Sequence, residues 1–483
     1  MSTILSLAPQ NVWKHFYSLT QVPRPSGYLK KVQEFLLNFG KSVGVESFQD
    51  EAGNIIYRKP ATPGMENRKK VILQAHMDMV PQKNNDTVHD FENDPIETYI
   101  DGDWVKAKGT TLGADDGMGV AAIMAIMEDK TLKHGPLEAL ITADEETGMF
   151  GAFGLKPGTV DGDILLNLDS EEEGELYIGC AGGEDLTAVL EYKEVETDPA
   201  DIALKVTLKG LRGGHSGLEI NEGRANANKL LIRVLKGLEA KVNFDVADIT
   251  GGLKYNAIPR NAEAVVGISK ADQPVLEKVL QHFGRIFSDE YRVNDPEIQV
   301  DYVAQDGADQ VLCDDSKRRL LDYIDFTETG IVRMDQDYPQ FVESSVSLGT
   351  IAVMKDRAEL WVMTRSSKES QYKAMFQRIV SLTKAYDGIY EVMSDCPAWE
   401  FDSESQLKKK FEDVFRDLYG KDPSFMILHA GVEPSEFAKK IDRKLDMISL
   451  GPDIRDLHAP GEYVVISSTQ RVWECFKRLI ESL

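Results

Sequence analysis

The chain has 483 residues, more than one compact core usually organises, so two or three domains are expected. Hydrophobic residues make up 42% and charged residues 28%, the balance of a soluble globular protein. With 80 acidic against 55 basic residues the formal charge is −25, which sets nucleic acid and anionic membrane surfaces aside as partners. The opening "MSTILSLAPQNVWKHF" has no basic stretch followed by a long apolar core, so it does not read as a secretory signal. No apolar run reaches the length of a bilayer span. Cys180, Cys313, Cys396 and Cys475 stand far apart without a Cys-x-x-Cys pair and read as reduced, packed cysteines of a cytoplasmic protein. Cysteine is not a metal ligand here.

In chain order, "SGYLKKVQEFLLNFGKSVG" predicts a helix with Ser26 as N-cap, apolar residues three and four apart, and Gly44 as its stop. Short apolar strands follow at "NIIYR", "KKVILQAHMDMV", "LEALITADE" and "GDILLNLDS", and "GMGVAAIMAIMED" between two of them predicts a helix. Strands alternating with helices indicate an α/β layer with a mainly parallel sheet, whose ligands gather beyond the carboxyl ends of the strands. Within "VILQAHMDMV", His76 and Asp78 are two apart on a strand and so are expected to share a face.

Near residue 185 the texture changes. "DIALKVTLKG", "GRANANKLLIRVLKGLEA", "FDVADITGG", "RNAEAVVGIS", "QPVLEKVLQHFGRIF" and "EIQVDYVAQ" spell βαββαβ, the ferredoxin-like split unit. A rougher version follows, with strands near "GIVRMD", "VSLGTIAVMK" and "AELWVMTRS", the helix "ESQYKAMFQRIVSLTKAY" and the strand "IYEVMS". Residues 185–397 are therefore expected to form an inserted α+β lid of two related halves. The catalytic domain would be split into 1–184 and 398–483. The latter holds the helix "SQLKKKFEDVFRDLYG", the strands "PSFMILHAG" and "KLDMISLG", and a closing helix from Thr469.

Five segments share one property: a carboxylate or imidazole follows an apolar strand or a glycine turn. They are "AHMDMV", "TTLGADDGMG", "TADEETGMFGA", "LNLDSEE" and "DLHAPGE". Adjacent Glu145 and Glu146 point in different directions, so one can hold a metal while the other moves a proton. Asp115 in its glycine turn could be aimed between two ions. Mixed imidazole and carboxylate ligands suit zinc, cobalt or manganese. A two-metal site, with ions roughly 3.5–4 Å apart, needs one bridge and a few terminal ligands. His76, Asp115, Glu146, Asp169 and His458 supply that set.

In order and spacing, "HMD", "GADDGMG", "DEETG", "LD" and "HAPGE" resemble the co-catalytic zinc peptidases, a group that includes tripeptidases and carboxypeptidase G-like enzymes. "GLRGGHSG", "LKYNAIPRNAEA" and "LHAGVEP" extend the resemblance to the aminoacyl-histidine dipeptidase branch over essentially the whole chain. The resemblance implies two Zn2+ per chain, with Co2+ or Mn2+ as substitutes. His76 and Asp169 would be terminal ligands at opposite ions, Asp115 the bridge, and Glu146 and His458 would complete the sites. Asp78 would orient the His76 ring, and Glu145 would be the general base for the hydrolytic water. His215 would stabilise the oxyanion, although it also reads as a turn histidine. Asn256 and Arg365 would hold the substrate's carboxylate, although Arg365 reads equally as a surface strand residue. Glu433 would meet the free amine, or be a plain loop carboxylate. His429 has no assigned part. The chain departs from the branch after "HAG", where Pro434 and Ser435 stand in place of a cysteine and a glycine.

The expectation is a cytoplasmic metal-dependent dipeptidase that hydrolyses short peptides with a free N-terminus, Xaa-His dipeptides among them. The same site could instead serve an amidase acting on N-acylated amino acids. A non-catalytic binding protein would have lost the base or several ligands, and all are present. A homodimer is compatible with the sequence.

Overall fold

The computed structural model describes residues 3–198, 201–307, 309–441 and 443–483. The chain divides into two compact units: Met1–Gly179 with Phe401–Ile427 and Val432–Leu483, and Cys180–Glu400 with Leu428–Gly431. The short segment carrying His429 thus lies with the second unit.

Among the described residues, the first unit is built on an eight-stranded sheet. From one edge its strands are Glu46–Gln49, Ile55–Lys59, Leu137–Thr142, Val71–His76, Ile164–Asn167, Asp446–Ser449, Glu175–Cys180 and Ser424–Leu428. The middle four run parallel, with Val71 opposite both Leu137 and Ile164, and Asp446 opposite Ile164. Every residue of Val71–His76, Leu137–Thr142 and Ile164–Asn167 is buried. Both faces are covered, which is why these strands read as continuous apolar runs rather than alternating ones. The C-terminal stretch supplies a parallel strand in the same sheet, so the mainly parallel α/β layer is completed by chain from both sides of the insertion. Parallel register also brings the carboxyl ends of the middle strands to one edge: His76 lies opposite Thr142, and Asn167 opposite both Gln74 and Ser449. A separate four-stranded sheet pairs Ile454–Arg455, Tyr463–Val465, Trp104–Ala107 and Thr98–Asp101 in that order. Its Ile454–Val465 hairpin carries His458 at the tip.

Three local expectations change. The helix begins at Lys30, not after Ser26, and has no side-chain cap. The Ser26 hydroxyl is instead turned to Asp78 Oδ2, 2.8 Å away. The strand stops at His76, so Asp78 lies beyond it rather than on a shared strand face. The closing helix starts at Ile466, before Thr469. An unforeseen helix, Gln10–Thr20, buries Val12, Trp13, Phe16 and Leu19 at helical spacing.

In the second unit a nine-stranded sheet among the described residues runs Gln299–Gln305, Asp201–Lys209, Ala262–Ser269, Asp245–Gly251, Val342–Val353, Arg357–Ser366, Gly183–Glu191 and Ile389–Cys396, with Gly330–Met334 against Val342–Val353. The first four strands, with helices Ala227–Glu239 and Gln273–Glu290, form one ferredoxin-like half. The last four strands repeat the same spatial order in mirror sequence. Their first strand is Gly183–Glu191 and their first helix Asp314–Phe326, neither of which was apparent in the sequence. The first half is thus nested inside the second. Leu231, Leu235, Val266, Tyr323, Leu360 and Phe376 belong to one core running through both halves.

Leu73, fully buried in the central parallel strand, tests this arrangement. Leu73→Ala is expected to cost about 2–5 kcal/mol, read as a lower denaturant midpoint. Val88→Ala, at a fully exposed position, should shift stability by less than about 0.5 kcal/mol.

Candidate metal centre

The five ligand candidates of the first unit sit at the end of the Val71–His76 strand, on the segments bearing Asp115, Glu146 and Asp169, and on the small sheet's hairpin. His76 closes its strand and its Nε2 lies 2.9 Å from Asp115 Oδ1 and 3.4 Å from Asp169 Oδ1. On the other side of the same carboxylate, His458 Nε2 is 3.1 Å from Asp115 Oδ2 and 3.0 Å from Glu146 Oε2. Two groups result, His76–Asp115–Asp169 and Asp115–Glu146–His458, each with its donor atoms within 4.8 Å of one another. They share Asp115, one oxygen to each. The helix that follows runs Ala114–Glu128, but Asp115 and Asp116 have non-helical backbone and the peptide between them is cis. His458 adopts a positive φ of 58° at the hairpin tip.

Neighbouring carboxylates hold these loops. Asp78, fully buried, accepts from Glu145 N at 3.0 Å and Glu146 N at 3.2 Å, while its Oδ1 lies 3.4 Å from His76 Nδ1. It therefore holds the Glu145–Glu146 turn and lies beside the imidazole. Asp116 accepts from His76 N at 3.2 Å and Gly119 N at 3.0 Å. Glu462, the last residue of "HAPGE", is 3% exposed and accepts from four successive backbone donors. These are Leu112 N and Ala114 N at 2.7 Å, Gly113 N at 2.9 Å and Asp115 N at 3.3 Å. Its place four residues after His458 was visible in the sequence, but its partners lie some 350 residues away.

The charge balance of the cluster calls for a cation. Burial pushes the Glu145 carboxyl up to about 8, with Glu433, Glu146 and Asp115 pushing the same way against His76. Burial also lifts Asp116 and Asp169 well above the carboxylate range. Burial opposes charge on His76, yet Asp169, Asp115 and Asp78 raise it well above its ordinary value. His458 is pushed up to about 10 by hydrogen bonds to Asp115 and Glu146. Buried carboxylates that crowd one another and draw protons onto both imidazoles are what a divalent ion would relieve. Glu146 Oε1 is also buried with no hydrogen-bond partner. Donor chemistry, spacing and charge all fit two divalent ions bridged by Asp115, and oxygen and imidazole donors suit zinc, cobalt or manganese.

Glu433 is 1% exposed and accepts from Gln74 Nε2 at 2.6 Å and Thr142 Oγ1 at 2.7 Å, so it is no surface loop carboxylate. Burial pushes its carboxyl up to about 8, and Oε1 has no partner.

In the second unit, His215 pairs with Ala257 beside Asn256, whose carbonyl accepts from Ser216 N at 2.9 Å. His215 Nδ1 accepts from Gly217 N at 3.1 Å and Leu218 N at 3.0 Å, leaving Nε2 to carry the proton. Burial and then Arg365 lower its pKa, so it is a neutral Nε2–H donor. Arg365 is no surface residue: its Nε is buried without a partner. A Cβ on Gly217 would meet Arg365 Nε and His215 Cε1 at 3.2 Å and run into the His429 carbonyl, so the glycine keeps these groups close. His429, unassigned from sequence, lies 2.7 Å from Ser345 Oγ and is held neutral by burial, its pKa pulled down to about 3.

Glu462→Gln keeps the shape but turns amide protons toward backbone N–H groups. It should cost about 1–3 kcal/mol in thermal unfolding. Uptake of both metal equivalents should weaken together, measured by elemental analysis after dialysis, because Asp115 is common to both groups.

The chain is 40% identical over 486 aligned residues to the cytosol non-specific dipeptidase of Escherichia coli strain K12, covering 100% of this chain and 99% of the relative. It superposes on the aminoacylhistidine dipeptidase of Vibrio alginolyticus with a TM-score of 0.94 at 38% identity, covering 100% and 98% of the two chains. A tripeptidase from Staphylococcus aureus shares the fold at a TM-score of 0.60 and 16% identity, with 99% and 98% covered. The profile of Peptidase family M20/M25/M40 matches residues 72–482, and the chain belongs to that family.

Proposed function

We propose that this protein is a metal-dependent dipeptidase that hydrolyses short peptides with a free N-terminus, Xaa-His dipeptides among them, in the cytoplasm. The observation that carries the reading is the pair of donor groups joined through Asp115, with Glu145 beside them. The names of its two full-length relatives point to the same substrate class. The amidase and non-catalytic alternatives gain no support from either.

His76, Asp115 and Asp169 would hold one ion, and Asp115, Glu146 and His458 the other, with Zn2+ the proposed occupant. When bound, such ions polarise the scissile carbonyl and make water a stronger nucleophile at neutral pH. Glu145 takes the proton from the attacking water on its carboxylate and delivers it to the leaving amine. Asp78 fixes the Glu145 backbone while it does so. His215 is assigned to the oxyanion because its Nδ1 accepts two backbone N–H groups and leaves Nε2–H as a donor. Arg365 and Asn256 receive the substrate's carboxylate, and the partnerless Arg365 Nε supports that role for the arginine. Glu433 is assigned to the free amine because Oε1 lacks a partner that an ammonium could replace. A homodimer remains part of the proposal.

Glu145→Ala is expected to retain metal and lose about 10²–10⁴-fold in kcat on β-alanyl-histidine, glycyl-histidine and leucyl-glycine. His215→Ala should lose about 10²–10³-fold in kcat with metal content unchanged. Turnover of an N-acetylated amino acid with none of the dipeptides would sink the dipeptidase reading.

A further inference from the structure

The loops of the centre are joined by a segment outside the residues matched by the family profile, Arg24–Pro25–Ser26–Gly27. Arg24 is 2% exposed. Its Nη1 donates to Met77 O at 3.1 Å and Asp78 O at 2.8 Å, just past His76. Its Nη2 donates to Gly113 O, just before Asp115. A planar guanidinium can serve carbonyls on two loops at once, which a lysine ammonium cannot do in the same geometry.

The glycines of "GADDG" have their explanation here. A Cβ on Gly113 would lie 2.6 Å from Arg24 Nη2, and one on Gly117 2.5 Å from the same atom. Gly113 also has a φ of +68°. The two glycines bracket Asp115 and Asp116 and leave the room the guanidinium fills. The motif therefore matches a residue about 90 positions upstream as well as the metal.

Two further contacts complete the strap. Ser26 Oγ donates to Asp78 Oδ2 at 2.8 Å, opposite the Asp78 oxygen nearest His76. Gly27 N donates to Asp144 Oδ1 at 2.5 Å, immediately before Glu145 and Glu146. Four consecutive residues thus hold the His76–Asp78 loop, the Gly113–Asp115 loop and the Asp144–Glu146 loop. The cation also sits within the field of Glu462, Asp78, Asp116 and Asp115.

We propose that Arg24 and Ser26 are positioning residues of the metal centre, fixing its ligand loops in the binding geometry before metal arrives. The inference rests on the metallopeptidase reading. Loops ordered in advance do not have to be ordered by the ligand, so losing the strap should weaken metal binding beyond any effect on folding.

The experiment is chelator-competition titration of the full-length apoprotein with Zn2+, for wild type, Ser26→Ala, Ser26→Thr and Arg24→Lys, alongside apoprotein melting and steady-state kinetics. Ser26→Ala should melt as wild type does yet bind metal about 10-fold more weakly, with kcat reduced and KM unchanged, and Ser26→Thr should restore both. Arg24→Lys should weaken binding about 100-fold. If Arg24→Lys does not fold, the Ser26 pair decides. Wild-type metal affinity in a folded Ser26→Ala would overturn the inference while leaving the metallopeptidase reading intact. A wild-type protein that takes up no metal would overturn that reading, and this inference with it.

Discussion

One carboxylate has to face two ways. Asp115 offers Oδ1 toward His76 and Oδ2 toward His458, and the architecture of the first unit follows from that demand. The parallel sheet delivers His76, and the loops bearing Glu146 and Asp169, to a common edge. The hairpin of the small sheet brings His458 from the far end of the chain. Gathering so many acids in a buried place is electrostatically costly, and the raised Asp169, Asp116 and Glu145 carboxyls record that cost. A fold that keeps such a cluster must supply cations, and the cluster's own imidazoles supply only part of the charge.

The second recurring device is a buried carboxylate that gathers backbone N–H groups. Glu462 does so for residues 112–115, and Asp78 for Glu145 and Glu146. In the second unit Asp295 accepts from Arg212 N and Ala225 N, both at 2.7 Å, and so closes the loop that carries His215. Loops have no ladder to satisfy their amides, and an ionised acceptor is a strong substitute. Each clamp joins residues far apart in sequence, which gives irregular backbone the fixed geometry that chemistry requires.

The second unit shows how a duplication hides. Its halves share one spatial strand order, yet Gly183–Glu191 precedes the whole nested half and meets Arg357–Ser366 only after some 170 residues. No stretch of sequence contains the second half as a contiguous pattern. Its strands were legible one by one from their apolar runs, while the pairing that makes them a unit was not.

Local pattern sufficed for the α/β layer, the first inserted split unit and the five acidic or imidazole-bearing segments, because period and turn chemistry are written in neighbouring residues. Resemblance then grouped those segments into one family. Where local signals were ambiguous, tertiary partners decided. Ser26 looked like a helix cap and serves Asp78, since a serine hydroxyl caps or bridges according to what lies near it. Arg365 could have lain on the surface and is half-buried, with its Nε shut away from solvent. Glu462 stood in a quoted motif and Arg24 in none, and the part each plays lies in amides and carbonyls supplied by distant loops. Residue type and spacing name the side chains whose chemistry suits metal. The tertiary structure alone decided which of them share Asp115 and what holds it still, because side-chain chemistry is local and convergence in space is set by long-range backbone packing.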